Sequence, residues 1–263
     1  MSDAMVNISK DDRGVVRIVL NRPEVRNAFN AELIAAITDA FADPPTGARV
    51  MVISGEGKAF SAGADLQWMK SMTSFTREQN VADSSALADM LDAIDNCAVP
   101  VIGRVHGAAV AGATGLVACC DIAIAGRSTV FAFTEVRLGL IPAVISPYVM
   151  RRVGYGFARS AFLTAERFDA ETAERVGLIY KAVDDSALDE EVEKIIGALL
   201  AGGPESLAGA RALVDAVWGK SPQDSRDFTV NAISERRVSD EAQEGIAAFF
   251  EKRAARWVPP SQG

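Results

Sequence analysis

Between residues 99 and 165 the chain has only two carboxylates, Asp121 and Glu135. Glu135 follows a glycine-rich run, His-Gly-Ala-Ala-Val-Ala-Gly-Ala-Thr-Gly at 106–115, and its own neighbours are mostly apolar. An apolar environment raises the pKa of a carboxyl group and suits it to proton transfer. The alternative is a structural glutamate that forms a salt bridge, for which Arg137 lies two residues away. Glu135 is therefore the best acid/base candidate, provided that it faces the glycine-rich run.

Two segments of small residues could bind an oxyanion through their backbone. The first, 57–66, follows a predicted strand and opens a predicted helix, with Ala-Gly-Ala at 62–64 leaving N–H groups open to a ligand. The second repeats this pattern at 111–113. Two helix starts that each donate one N–H to the same carbonyl oxygen would stabilise an enolate or a tetrahedral oxyanion. The structural alternatives are a tight turn in the first segment and close helix packing in the second.

Other catalytic patterns are weak or missing in the sequence. His106 is the only histidine, and no Gly-x-Ser-x-Gly motif accompanies it, so a loop or hydrogen-bonding role is expected for it. Neither a phosphate-binding loop nor a dinucleotide fingerprint is found. Cys97, Cys119 and Cys120 lack the spacing of metal ligands and are expected to be reduced core thiols. No metal site is predicted.

The composition indicates one large globular domain, or a domain with an appendage. The chain has 263 residues, of which 49% are hydrophobic and 24% charged, and its net charge is -8. Excess carboxylate argues against nucleic acid and anionic membrane as partners. The N-terminus lacks the features of a signal peptide, and the longest apolar stretch, 108–125, is broken by two glycines and Asp121. We expect a cytoplasmic protein without a membrane span.

The elements that must position these residues alternate along the chain. Strands are predicted at 6–8, 15–20, 50–54, 100–105 and 122–125. One helix is predicted to start after Asn30, and another is predicted at 112–120. Between them, Leu87, Met90, Leu91 and Ile94 have the spacing of one apolar helix face and predict a third. Beyond Ser186 only helices are expected, at 188–200, 205–217 and 228–256. This order predicts an α/β fold with a helical C-terminal appendage.

Taken together, these segments resemble the enoyl-CoA hydratase/isomerase (crotonase) family over nearly the whole chain. The residues that carry the resemblance are Leu-Asn-Arg-Pro-Glu-Val-Arg-Asn-Ala-Phe at 20–29, Ala-Phe-Ser-Ala-Gly-Ala-Asp at 59–65, the run at 106–115, Cys-Asp-Ile-Ala at 120–123, Glu-Val-Arg-Leu-Gly-Leu-Ile-Pro at 135–142, Leu163-Thr164, Gly177-Leu178 and Phe-Glu-Lys-Arg at 250–253. The resemblance implies a spiral of ββα units at 1–200, a helical region at 201–263 for assembly into trimers or hexamers, and an acyl-CoA thioester substrate. Coenzyme A is then part of the substrate, and no separate cofactor is expected.

The resemblance also implies roles for individual residues. The oxyanion donors fall at Ala64 and Gly112, and Glu135 is the acid/base. Lys252 would reach a phosphate of coenzyme A from a neighbouring subunit. The segment that would hold the adenine and pantetheine of coenzyme A includes Ala62, Asp65, Leu66 and Gln67. Arg26 and Ala28 would lie near the thioester arm.

The chain departs from the two-glutamate hydratases of this family at one position. Those enzymes have a glutamate six residues before the Asp of the Cys-Asp-Ile segment, where this chain has Gly115, and another fourteen residues after it, where this chain has Glu135. Three hypotheses follow: Glu135 performs both proton transfers of hydration, it shuttles one proton as in single-glutamate isomerases, or a substrate carboxylate or another side chain replaces the lost group.

The segment at 137–148 is similar to the hydratase branch that acts on branched or methylglutaconyl-type CoA esters, which favours hydratase over isomerase. A non-catalytic acyl-CoA-binding or RNA-binding protein is the alternative from another class. The residues at 68–80, which are expected to line the acyl pocket, show no clear pattern.

Overall fold

Strands and helices alternate through most of the computed structural model, which describes residues 4–260. Its strands are β1 (Val6–Lys10), β2 (Val15–Leu20), β3 (Val50–Gly55), β4 (Val101–Val105), β5 (Ala108–Val110), β6 (Ile122–Gly126), β7 (Val130–Ala132), β8 (Phe168–Asp169) and β9 (Lys181–Val183). Its helices are α1 (Ala31–Ala42), α2 (Leu66–Met72), α3 (Arg77–Asp95), α4 (Gly112–Cys119), α5 (Ser146–Thr164), α6 (Ala170–Arg175), α7 (Leu188–Ala201), α8 (Pro204–Val217), α9 (Pro222–Arg237) and α10 (Asp240–Glu251). Every strand predicted from the sequence is present.

Two sheets share the strands between them. The larger has the order β1-β2-β3-β4-β6-β9 and is parallel except for the antiparallel β1–β2 pair. The smaller has the order β5-β7-β8, and a single bridge between Ser61 and Ala109 extends it. In two turns of the chain, β4-β5-α4 and β6-β7-α5, one strand is added to each sheet and a helix follows. This arrangement confirms the predicted α/β spiral of ββα units.

Local sequence explains where the first helix lies. The side chain of Asn30 accepts a hydrogen bond from the N–H of Leu33 at 2.9 Å, which caps the N-terminus of α1 as predicted. Leu33, Ile37 and Phe41 are buried in the core, and α1 ends before the two prolines that follow. The apolar periodicity of this segment thus fixes one face of the core.

The C-terminal region differs from its prediction in one respect. The single helix expected at 228–256 is wrong, because the chain forms two helices, α9 and α10, with a break at Val238 and Ser239. The hydroxyl of Ser239 accepts a hydrogen bond from the N–H of Ala242 at 3.2 Å and caps α10, as serine does at helix starts. The division at residue 200 and the assembly role of 201–263 stay predictions. No helix within residues 4–260 is both long and apolar enough to span a bilayer.

Candidate active site

Two adjoining cavities contain most of the residues singled out from the sequence, and they share Ala62, Ala64 and Trp68 in their walls. The first, of about 920 Å³, is lined by the predicted residues Arg26, Ala28, Ala62, Ala64, Asp65, Leu66 and Gln67. The second, of about 640 Å³, is lined by the predicted residues Ala62, Ala64, Gly112 and Glu135. Lys252 lies outside both cavities of its own chain, exposed just after the end of α10.

Glu135 begins a short 3-10 helix, Glu135–Leu138, and its side chain is half-buried in the wall of the second cavity. Its Oε2 atom is buried and has no hydrogen-bond partner within residues 4–260. Burial raises the pKa of this carboxyl group above its ordinary value, against a smaller opposing effect of the backbone N–H of Glu135. Arg137 is exposed and does not pair with it. The salt-bridge alternative therefore does not apply, and Oε2 of Glu135 has no partner in the wall of the cavity.

Asp121, the other carboxylate of this region, has a structural role instead. It accepts hydrogen bonds from the N–H of Val101 at 2.8 Å and from Nε of Arg211 at 2.7 Å. Arg211 lies on α8, so this ion pair joins the C-terminal helices to the sheet. Asp121 lines neither of the two cavities.

The two candidate oxyanion donors lie at corresponding positions of adjacent segments. Ser61 and Ala109 form a parallel bridge, and three residues further on the segments reach Ala64 and Gly112. A Cβ atom on Gly63 would lie 2.7 Å from the carbonyl oxygen of Val110, so only glycine allows this close approach. Among the described residues, neither the N–H of Ala64 nor that of Gly112 has a hydrogen-bond partner. Both donors are therefore free for a carbonyl oxygen.

The segment that carries Ala64 is held from both sides. Phe29 donates its N–H to the carbonyl of Gly63 at 2.7 Å, and its own carbonyl accepts the N–H of Asp65 at 2.8 Å. The Asp65 carboxylate accepts the N–H of Gln67 at 2.8 Å and pairs with Arg22 at 2.9 Å. Burial alone would raise the pKa of Asp65, but these donors outweigh it and lower the pKa. These contacts fix the backbone on both sides of Ala64, and Asp65 also lines the first cavity.

Ala111, directly before Gly112, has a backbone conformation that glycine usually adopts. Its φ is 53° and its ψ is -122°, and its N–H bonds to the carbonyl of Ala132 at 2.8 Å. This conformation directs the first turn of α4 toward the second cavity. An alanine gives no sequence signal for such a turn, and the sequence analysis therefore missed it.

The space that a glutamate at position 115 would need is occupied. A Cβ atom on Gly115 would lie 2.2 Å from Cγ2 and 2.5 Å from Cβ of Ile145. Ile145 is buried and also lines the second cavity. The absence of a carboxylate at position 115 is therefore coupled to the packing of Ile145.

Asp83, which was not among the residues predicted from the sequence, lies on α3 and lines the second cavity. Its Oδ1 atom accepts a hydrogen bond from Nε1 of Trp68 at 3.1 Å. Asp83 lies four residues before Leu87, on the face of α3 that continues through Met90 and Ile94 into the core. A polar residue that continues an apolar helix face was the signal that could have found it.

His106 lies outside both cavities, as expected for a residue with a loop role. Its Nε2 atom bonds to the carbonyl of Gly57 at 3.0 Å, and its Nδ1 atom lies 3.2 Å from a guanidinium nitrogen of Arg104. Both ring nitrogens are thus used in structural contacts. Within residues 4–260, no three His, Cys, Asp or Glu side chains are grouped as metal ligands would be.

Comparisons with known proteins agree on one family. The family model described as enoyl-CoA hydratase/isomerase matches residues 10–260. A crotonyl-CoA hydratase of Syntrophomonas wolfei is 30% identical over 256 residues, which cover 95% of this chain and 96% of that protein. The enoyl-CoA hydratase AKT6-1 of Alternaria alternata is 32% identical over 254 residues, which cover 93% and 81%. The crystal structure of an enoyl-CoA hydratase from Shewanella pealeana is similar with a TM-score of 0.91 at 40% identity, covering 96% of each chain.

Proposed function

Because the chain belongs to the enoyl-CoA hydratase/isomerase family, we propose that it is a hydratase that adds water across the double bond of a 2-enoyl-CoA thioester. The observation that carries the proposal is the second cavity. It brings a buried carboxyl group without a partner, on Glu135, together with the free N–H groups of Ala64 and Gly112. These are the groups that the addition of water to a thioester-conjugated double bond requires.

The geometry supports the following mechanism. The thioester carbonyl oxygen accepts hydrogen bonds from the N–H groups of Ala64 and Gly112, which draw electron density from the double bond. Water bonds to the β-carbon and loses a proton, and the π electrons move to an enolate whose oxygen these donors stabilise. The α-carbon then takes up a proton. Glu135 acts as the acid/base, since burial raises its pKa and favours the protonated form more than in an exposed glutamate.

The first cavity supports binding of the coenzyme A part of the substrate. This cavity shares Ala62 and Ala64 with the second cavity. When the thioester carbonyl lies in the oxyanion hole, the pantetheine arm therefore extends into the first cavity. Arg26 is exposed there and offers a charge for a phosphate, while Ala28 and the segment 62–67 form the wall. The mechanism needs no metal and no cofactor beyond the coenzyme A of the substrate.

A second candidate is a Δ3,Δ2-enoyl-CoA isomerase, which one observation favours. Position 115 has no carboxylate, and Ile145 fills the space. A single carboxyl group, Glu135, is sufficient to move a proton between the α- and γ-carbons. Incubation of 2-enoyl- and 3-enoyl-CoA esters in deuterated water separates the two activities, because a hydratase adds oxygen whereas an isomerase exchanges label without adding oxygen.

Substitution of Glu135 tests the proposal directly. We expect Glu135→Gln to lower kcat for hydration by about 100-fold or more, because the amide keeps the shape of the carboxyl group but transfers no proton. Binding of the acyl-CoA, measured by titration calorimetry, should stay close to that of the wild type. The exposed Glu166→Gln serves as the control. Full hydration by Glu135→Gln would overturn the mechanism.

The proposal extends to the oligomeric state, the partners and the cellular location of the chain. We propose a homotrimer, or a hexamer of two trimers, formed through α8–α10, with Lys252 reaching the substrate of a neighbouring subunit. The proposed partners are the acyl-CoA substrate and copies of the chain, with no nucleic acid or membrane partner. Three free, buried cysteines agree with a cytoplasmic location.

A further inference from the structure

The second cavity contains a carboxyl group in addition to Glu135. Asp83 and Glu135 are the only titratable side chains among the described residues that line it, and no lysine, arginine or histidine lines it. The two groups come from different elements, α3 and the 3-10 helix that begins at Glu135. Most of the remaining wall is apolar, so a proton transferred inside this cavity can go only to one of these two carboxyl groups or to solvent.

Asp83 is held in place by the segment that forms the oxyanion hole. Nε1 of Trp68 donates to Oδ1 of Asp83 at 3.1 Å, and Trp68 lies four residues after Ala64 in the short helix capped by Asp65. This bond uses one carboxylate oxygen and leaves Oδ2 for another donor. Burial raises the pKa of Asp83 above its ordinary value, although the Trp68 N–H opposes that effect. The environment thus makes Asp83 a better proton acceptor than an exposed aspartate.

Hydration requires two proton transfers on the substrate. Water must lose a proton as its oxygen bonds to the β-carbon, and the α-carbon must gain one. Position 115 cannot supply a carboxyl group, because the side chain of Ile145 fills the space beside Gly115. A second carboxyl group in the same cavity removes the need for Glu135 to perform both transfers.

We propose that Asp83 is the second acid/base of the hydration site. Its carboxylate accepts the proton of the attacking water, while the protonated Glu135 gives its proton to the α-carbon. One O–H bond of water breaks, a C–O bond forms at the β-carbon, and the π electrons form the new C–H bond at the α-carbon. Asp83 ends protonated and Glu135 ionised, and exchange with solvent restores both. The inference rests on the hydratase function proposed above.

Two reactions of one enzyme separate the two proton transfers. Hydration of crotonyl-CoA needs both groups, whereas exchange of the α-hydrogens of butyryl-CoA with deuterated water needs only Glu135 and the oxyanion hole. We expect Asp83→Asn to lower kcat for hydration by about 100-fold or more, with little change in KM, and to keep the wild-type rate of exchange. Glu135→Gln should lose both reactions. Asp89→Asn, an exposed position on the same helix, is the matched control.

Trp68→Phe distinguishes catalysis from a structural role. Asparagine keeps an oxygen that accepts the Trp68 N–H, so Asp83→Asn preserves this bond and removes only the charge. Trp68→Phe removes the bond but keeps the carboxyl group, and we expect it to lower kcat for hydration by less than Asp83→Asn does. Loss of hydration in Trp68→Phe with full activity in Asp83→Asn would overturn the inference and leave the hydratase function standing. Loss of exchange in Asp83→Asn would also overturn it. A wild type that hydrates no enoyl-CoA would contradict the proposed function itself.

Discussion

At the scale of the single residue, the environment that fits Glu135 to its proposed acid/base role also opposes its charge. Its Oε2 atom is buried without a hydrogen-bond partner. Asp121 is also partly buried, but Arg211 donates a hydrogen bond to its carboxylate and stabilises the charge. A buried carboxylate without a partner is unfavourable, and its removal from a folded protein is expected to be stabilising. Function and stability therefore place opposite demands on position 135.

The pH dependence of stability reveals this conflict. The pKa of Glu135 is raised in the folded protein, so between the ordinary value of 4.5 and the raised pKa the folded state binds more protons than the unfolded state. The contribution of Glu135 to the free energy of unfolding is thus highest below pH 4.5 and is lost as the pH rises through the raised pKa. We expect Glu135→Gln to have a higher Tm than the wild type at neutral pH and an equal one in acid.

Thermal unfolding followed by circular dichroism at several pH values measures this difference. Glu166→Gln removes an exposed carboxylate and should leave Tm unchanged at each pH. A Tm advantage of Glu135→Gln that was the same in acid and at neutral pH would show that burial of the charge is not its cause.

At the scale of the element, the first turn of α4 contains Gly112, one of the two proposed oxyanion donors. Proline at Gly112 removes the N–H and is a residue that helices accept at their first position, so we expect Gly112→Pro to lower kcat by about 100-fold or more. Gly112→Ala keeps the N–H, and its Cβ would meet only the Phe29 ring, at an ordinary distance of 3.4 Å. The alanine variant should therefore stay active.

Steady-state kinetics on both variants tests the assignment, with circular dichroism to show that each is folded. Equal activity of the two variants would place the oxyanion hole elsewhere. Loss of activity in the alanine variant alone would point to the shape of the cavity instead of the N–H group.

Helix α4 and the start of α5 also depend on each other through Gly115 and Ile145. A methyl group at position 115 would overlap with Ile145, and overpacking of this kind destabilises a protein by about 1–3 kcal/mol. We expect Gly115→Ala to be destabilising alone and less so in an Ile145→Ala background, where space is available. Urea unfolding of the two single variants and the double variant measures the coupling. Strictly additive effects would contradict direct packing between these residues.

The sequence predicted the elements wherever a local pattern determines them. The N-cap residue Asn30 and the helical spacing of the apolar residues that follow it are sufficient to predict α1. The break between α9 and α10 was missed because the apolar pattern continues across Ser239, and only the cap marks it. The match between Gly115 and Ile145 depends on contacts between distant segments. No local pattern encodes such contacts.

At the scale of the whole molecule, the C-terminal helices expose more apolar surface than a lone chain would be expected to have. Phe249 is 78% exposed, Phe250 77% and Trp218 68%, and Phe228 and Ile233 are also exposed. Large exposed apolar surfaces mark sites of association. This surface supports the proposed trimer, and a trimer would also explain how Lys252, outside the cavities of its own chain, could act on a substrate.

Lys252 gives a test that depends on assembly. If it contacts a phosphate of coenzyme A bound to a neighbouring subunit, Lys252→Ala should raise KM for enoyl-CoA by about tenfold, as expected for a lost ion pair to phosphate, with little change in kcat. The variant should show no such effect with an enoyl-pantetheine thioester, which lacks the nucleotide phosphates. Lys58→Ala, which removes an exposed lysine outside both cavities, is the control.

Disruption of the assembly should abolish the contribution of Lys252. A charge at the exposed Phe249 opposes burial of α10 between subunits, so we expect Phe249→Glu to shift the trimer toward monomers in analytical ultracentrifugation. In that monomer, Lys252→Ala should no longer change KM, because no neighbouring subunit presents the lysine. Gln223→Glu adds the same charge at an exposed polar position of α9 and should leave the trimer intact. An effect of Lys252→Ala that persisted in the monomer would show that the lysine acts within its own chain.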